Sequence, residues 1–349
     1  MRLWKKSALI VLFSFLYFAG MVLSLRNIQE LKQVYPGWSL RSQEEISAEQ
    51  VLQSRRAFAE QADNIIWPTF WTEQRETMTT FRTASTQKII YYDGDPTLVF
   101  PAEFLMGGYP GEMDVNRAAI SNQLAFTLWG SEDVLGESFQ IGEKEYTISG
   151  VFQSKEETVI AGNSNTEMKW KNIEIRDTEN KLTREEIVLA AQKIGLSSEV
   201  HIIDGNGMVM LLNLFAYLPI VVGIFLICFA INRQLPQHSV VKNVGVFLFF
   251  LILALSLPWV LSKFPLWLLP TKWSDFAFWV KLFETLQEYI VSWFLLVPQD
   301  KDLVAKMSII KSMVFLVITF TAEILLWKKV WSKTVSKPKK PELYLANEI

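Results

Sequence analysis

Polar and apolar positions follow two different rhythms along this chain. On the longer one, residues 8–25 (ALIVLFSFLYFAGMVLSL), 209–231 (VMLLNLFAYLPIVVGIFLICFAI) and 243–262 (NVGVFLFFLILALSLPWVLS) carry no charged side chain. Each run is close to the roughly 20 residues a helix needs to cross a hydrocarbon core. A fourth run, 307–327, contains Lys311 and Glu323, both near its ends, where long side chains reach the interface. The pattern predicts an α-helical membrane protein with four transmembrane helices, over residues 8–25, 208–231, 244–262 and 307–327. Between the first two, residues 26–207 change to the shorter rhythm of a folded polar module.

That module reads as an α+β domain. Ser47, Ala48, Glu49 and Gln50 match a capping box, with Val51, Leu52 and Phe58 as the apolar stripe of the helix that follows. The aromatic cluster WPTFW at 67–71 fits either core packing or a patch facing membrane or ligand. Residues 89–92 predict a strand closed by a turn at Asp93, Gly94, Asp95 and Pro96. Ser121 is an N-cap, Leu124, Thr127 and Leu128 share a helix face, and Gly130 stands where a left-handed residue ends the helix. Phe139 and Ile141, then Tyr146 and Ile148, alternate with polar residues around 142–145, which predicts two antiparallel strands with one buried face. Finally NIEIR (172–176) and VHIID (200–204) flank a helix opened by a second capping box, Thr183 to Glu186, and closed at Gly195.

Charge sets the orientation. The 349 residues are 50% hydrophobic with a net charge of −2, which excludes charge-driven nucleic-acid binding and wholesale disorder. Arg2, Lys5 and Lys6 precede the first run, Arg233 and Lys242 sit in the loop at 232–243, and Lys328, Lys329, Lys333, Lys337, Lys339 and Lys340 fill the tail at 328–349. The positive-inside rule therefore places residues 1–7, 232–243 and 328–349 in the cytoplasm and 26–207 and 263–306 outside. The first run could begin as a secretory signal, but its length and the missing A-x-A site favour an uncleaved anchor. The single cysteine, Cys228, lies in the second run, so the outer domain must be held by an apolar core rather than by disulfides.

Chemistry is sparse. No Walker A sequence occurs, and His201 and His238 lack partners at metal-ligand spacing. Without a G-x-S-x-G or S-x-x-K context, no catalytic constellation is recognisable, and no cofactor or enzyme activity is expected. Glu323 is an acid at membrane depth, for which snorkelling towards Lys328 and Lys329 is the simplest account. Pro219 and Pro258 predict kinks in the second and third spans. In the loop at 263–306, Trp267, Trp273, Trp279 and Trp293 are interleaved with balanced charges, the composition of a segment anchored at the lipid headgroups.

Residues 118–152 (AAISNQLAFTLWGSEDVLGESFQIGEKEYTISGVF) resemble the signature of permease subunits of ABC transporters of the MacB/FtsX type. The match runs through Leu124-Ala125, Leu128-Trp129-Gly130, Val134-Leu135-Gly136 and Tyr146 to Val151, with Phe100-Pro101, Phe104-Leu105 and Gly107-Gly108 leading into it. The resemblance implies a MacB-like extracytoplasmic core domain between the first two spans and location in a bacterial plasma membrane. It also implies a separate P-loop ABC ATPase and a homo- or heterodimer of permease subunits. ATP-driven motion would pass to the outer domain for export or for handling of peptides or lipids. Arg233, Gln234, Leu235, Pro236, Gln237 and His238 become the candidate ATPase-coupling residues. That loop lacks the iGiLrAlG-like sequence of the family, which leaves a second expectation open: a non-transporting regulator or scaffold acting on an outer enzyme or sensing peptides.

Overall fold

The computed structural model describes residues 2–60, 66–81, 83–111, 114, 116–162, 167–196, 200–234, 240–261, 270 and 272–334. The chain divides into two compact units. One comprises Met1–Ile28, Leu211–Pro265 and Ile309–Ile349, and the other Gln29–Met210 and Leu266–Ser308.

Helix α1 (Arg2–Val34) does not stop at residue 25, where the apolar run ends. Ile28, Leu31 and Val34, three apart, are buried along one side. The intervening Asn27, Gln29, Glu30 and Lys32 hide that stripe in the sequence, so the helix runs nine residues beyond the expected boundary at 25.

The β-rich unit then runs β1 (Gly37–Ser47), α2 (Ala48–Ala59), β2 (Pro68–Thr79), β3 (Ala84–Asp93), α3 (Pro96–Val99), β4 (Phe104–Gly107) and β5 (Arg117–Ser121). It continues with α4 (Asn122–Trp129), β6 (Ser138–Ile141), β7 (Lys144–Phe152), β8 (Thr158–Gly162), β9 (Lys169–Arg176), α5 (Arg184–Lys193) and β10 (His201–Asp204). The strands form one mixed sheet in the order β10-β1-β9-β2-β3-β8-β5-β7-β4, and β6 pairs with both β2 and β7. Hydrogen bonding therefore returns on itself through β2, β3, β8, β5, β7 and β6, which removes two strand edges from solvent. β9 and β10 both pair antiparallel to β1, so the expected strand, helix, strand unit is real but split by the first strand of the domain.

Both faces of the sheet are covered, and successive residues on one strand feed different clusters. Phe70, Ile89 and Tyr91 join the larger core with Trp38, Leu40, Phe58, Leu124 and Trp170. Trp71, Ile90 and Tyr92 join Val99, Phe152 and Ile160 on the other side. The cluster at 67–71 is thus core from Pro68 onward, while Trp67 is 59% exposed. Both capping boxes form, at Ser47 and Thr183. Leu52 and Thr127 face outward, however, because the helices bury Val51, Ser54 and Phe58 in α2 and Leu124, Ala125 and Leu128 in α4. Asp95 serves the turn as the N-cap of α3.

Ser121 does more than cap α4. Its Oγ accepts from the backbone N–H of Leu124 at 3.3 Å and from that of Thr158 at 3.1 Å, tying β5, α4 and β8 together. Ser121→Ala is expected to cost about 1–3 kcal/mol, since one cap and one buried donor are orphaned together. The fall in thermal midpoint, compared with that of Ser131→Ala on the exposed surface, checks it.

Four further helices follow among the described residues: α6 (Gly205–Gln234), α7 (Val240–Leu261), α8 (Phe276–Leu295) and α9 (Asp300–Thr334). Among the described residues, three stretches are long and apolar enough to cross a membrane: Ser7–Val34, Gly205–Phe229 and Asp300–Lys329. The described apolar part of α7, Asn243–Leu255, is shorter. Pro219 and Pro258 fall inside α6 and α7. In this unit α1 and α9 approach closely. Ser24 and Ser312 share a hydrogen bond of 2.9 Å, and a Cβ on Gly20 would stand 2.6 Å from Thr319 Oγ1, so only a small residue fits there. Glu323 does not reach for the helix end as expected. It is 8% exposed, its Oε1 has no hydrogen-bond partner among the described residues, and it faces Gly223 of α6.

The described part of residues 263–306 is mostly helical, with α8 followed closely by the start of α9. From Leu266 to Ser308 the chain belongs to the β-rich unit, and α9 starts at Asp300 rather than 307, because its first two turns are buried there by polar contacts that hydropathy does not register.

Candidate coupling site

The site begins with strand periodicity. In β1, Trp38 and Leu40 point into the larger core, so Ser39 and Arg41 point to the opposite face. Register then selects their neighbours: Ser39 stands opposite Glu174, which stands opposite Thr69, while Arg41 stands opposite Asn172, which stands opposite Trp71. Alternation and register therefore gather Ser39, Arg41, Glu174 and Trp71 on one buried patch.

Three further groups arrive from outside the sheet. Tyr35 follows α1, and Lys301 and Asp302 come from the first turn of α9. Arg41 grips Asp302 in a fork, Nη2 to Oδ1 at 2.7 Å and Nε to Oδ2 at 3.1 Å, and gives Nη1 to Glu174 Oε1 at 2.9 Å. Its guanidinium lies 5.2 Å from the centroid of Trp71. Glu174 also accepts from Trp71 Nε1 at 3.0 Å, from Lys301 Nζ at 2.9 Å and from the Ser39 hydroxyl. Asp302 takes in addition the Tyr35 hydroxyl at 2.5 Å and the backbone N–H of Gln299 at 3.2 Å. Lys301 donates to the carbonyl of Leu98 and sits 5.5 Å from the Tyr35 ring centre.

Two cations and two carboxylates, all under 9% exposed, thus cancel in charge, and each carboxylate has several donors. Burial works against the charge of Arg41, but Glu174 and Asp302 outweigh it and hold the guanidinium above its ordinary pKa. Burial, then the Asp302 carboxylate, pushes Tyr35 well up, so its hydroxyl remains a donor. A buried ionic network of this kind contributes little net stability over an apolar one, yet removing one member leaves an orphaned charge. Its effect is to fix geometry: the first turn of α9 has one place on the sheet.

Neighbouring contacts hold the same turns. Lys88 of β3 pairs with Glu156 and Asp300, and the backbone N–H of Asp300 approaches Glu73 at 3.5 Å. Ser308 donates to Glu30 at 2.9 Å, and Lys306 Nζ donates to the carbonyls of Phe294 and Leu296 at 3.0 and 3.1 Å, closing the C-terminal end of α8.

The residues singled out from the sequence lie elsewhere. Arg233 and Gln234 are the last two residues of α6, and Leu235, Pro236, Gln237 and His238 lie outside the described residues, as does Trp267. Trp273 and Trp279 are exposed. Trp293 is not an interfacial anchor by exposure: it is 4% exposed and packs beneath Lys306, whose Nζ is 5.6 Å from its ring. His201 is a half-buried strand residue paired with Arg41 across β1 and β10. Among the described residues no cluster of His, Cys, Asp or Glu could hold a metal ion. The sequence signal for this cluster was weak, because Arg41 in GWSLRSQEEIS and Glu174 in KWKNIEIR stand among other polar strand residues, and only the Lys301-Asp302 pair stands out, close before an apolar run.

No protein-family model matches the chain, and no curated protein does. Among solved structures it is similar to the periplasmic region of MacB from Actinobacillus actinomycetemcomitans, with 11% identity and a TM-score of 0.44 over 53% of this chain and 95% of that one. It is also similar to the extracellular domain of the ABC-type transporter YknZ from Gram-positive bacteria, with 12% identity and a TM-score of 0.38 over 48% of this chain and 99% of the other. Among the described residues the chain thus has three helices long and apolar enough to cross a membrane, together with a β-rich domain similar to the periplasmic region of MacB and the extracellular domain of YknZ.

Proposed function

We propose that this protein is the membrane-spanning permease subunit of a MacB/FtsX-type ABC complex. In this reading it has four spans, with α7 as the third, both termini lie in the cytoplasm of a bacterial plasma membrane, and the β-rich domain lies outside. A separate P-loop ATPase supplies the energy, and permease subunits pair as a dimer. The observation that carries the reading is the buried cluster of Arg41, Glu174, Lys301 and Asp302. A shift of α9 along its axis would strip paired charges from their partners, which is costly in a low-dielectric interior, so the strands β1 and β9 move with it. Motion delivered to the membrane helices is thereby passed to the sheet, for export or for handling of peptides or lipids. The ATPase contact is assigned to Arg233 to His238.

The brevity of the segment between α6, which ends at Gln234, and α7, which starts at Val240, favours one second reading: a regulator or scaffold without a motor. Crosslinking in native membranes, followed by purification and mass spectrometry, separates the two. Recovery of one P-loop ATPase, lost when Arg233 is changed to Glu and Pro236 and His238 to Gly and Glu, is expected. Recovery of outer-domain partners alone would establish the second reading instead.

A further inference from the structure

We infer that α8 is a membrane-surface helix, clamped to the β-rich domain on one side and lying with the other in the headgroup and upper acyl region of the leaflet that α9 enters. The inference goes beyond the permease reading and needs only that α9 crosses the bilayer.

The helix has three distinct sides. Tyr289 and Trp293 face the domain: the Tyr289 hydroxyl accepts the backbone N–H of Asp204 at 2.5 Å, the Arg184 guanidinium lies 6.0 Å from its ring centre, and Trp293 is buried. Phe276, Val280, Phe283, Ile290 and Phe294, spaced four, three, seven and four apart, form a stripe on another side, interrupted by Gln287. They are 80, 59, 71, 47 and 42% exposed. At 100° per residue, Lys281, Glu284 and Glu288 centre about a third of a turn from that stripe and about a third of a turn from the docked residues on its other side. An apolar stripe beside a charged flank is the pattern of a helix lying in the plane of an interface.

Position supports lipid rather than another protein as the occupant. Only residues 296–299 separate α8 from α9, so the two ends lie within about 18 Å of each other. Lys306, in the second turn of α9, binds the carbonyls of Phe294 and Leu296, which holds the end of the apolar stripe beside a helix that continues into the membrane. At the other end Trp273 and Trp279 pack together, ring centres 6.0 Å apart, a pair suited to the headgroup level. The lipid-facing residues are therefore the Phe, Val and Ile stripe, not Trp293.

The test uses the full chain, with Cys228 replaced by Ser, in nanodiscs of phosphatidylethanolamine and phosphatidylglycerol. Single cysteines at Phe276, Phe283, Ile290 and, as a control on the charged flank, Glu284 carry an environment-sensitive fluorophore. Labels at 276, 283 and 290 should lose most of their emission to nitroxide-bearing lipids and little to aqueous iodide, with the reverse at 284. Iodide quenching of all four alike would overturn the inference by placing the stripe in water. Protection of the stripe from both quenchers would overturn it by placing a protein there.

Discussion

Asp302→Ala should destabilise the β-rich domain by about 3–5 kcal/mol, the cost of breaking a buried ion pair by removing one partner. Asp302 is fully buried and accepts from Tyr35, from two nitrogens of Arg41 and from the backbone of Gln299. Without it, Arg41 and Lys301 share the single carboxylate of Glu174, and the Tyr35 hydroxyl has lost its acceptor. The shift in thermal midpoint of the purified protein, followed by tryptophan emission, reads the effect. A double variant, Arg41→Met with Asp302→Leu, should recover most of the loss, because an apolar pair of similar volume leaves no charge orphaned. If Asp302→Ala costs under about 1 kcal/mol, in the range of an exposed pair, the cluster is not a closed network.

Trp71→Ala should be at least as severe, about 3–5 kcal/mol for the cavity alone. The ring is 1% exposed, packs with Ile90, Tyr92, Val99, Phe152 and Ile160, lies beneath Arg41 and donates Nε1 to Glu174. Trp71→Phe separates these roles. It keeps most of the packing and a π face for the guanidinium but removes one donor from a buried carboxylate, for an expected cost of about 1–3 kcal/mol. Equal losses for the two variants, read by the same unfolding measurement, would mean that the hydrogen bond rather than the volume dominates.

Local chemistry was the most legible part of this sequence. The capping boxes at Ser47 and Thr183, the cap at Ser121 and the left-handed Gly130 and Gly195 each depend on a few adjacent residues, and all are present. What depended on partners far along the chain was not legible. The helical stripe of Ile28, Leu31 and Val34 is interleaved with polar residues and shows only in the burial of the folded chain. The same holds for residues 263–306, whose charges balance in number and so suited an outer interfacial loop. In the fold Lys301 and Asp302 are among the most buried charges of the molecule, since their counterions lie on β1 and β9, more than 120 residues away. Trp293 followed the composition of an interfacial belt, yet helix geometry turns it inward and leaves the Phe and Val stripe exposed.

The Arg41, Glu174, Lys301 and Asp302 cluster should make the first turn of α9 and the sheet move as one body. Spin labels at the exposed Thr86 on β3 and Leu303 on α9, in the Cys228→Ser background in nanodiscs, test it through the distribution of distances between them. One narrow distance is predicted with the cluster intact, and a broad distribution with Asp302→Ala while the strands remain folded. A broad distribution in the intact protein, or a narrow one that Asp302→Ala leaves unchanged, would mean that the cluster does not hold α9 to the sheet.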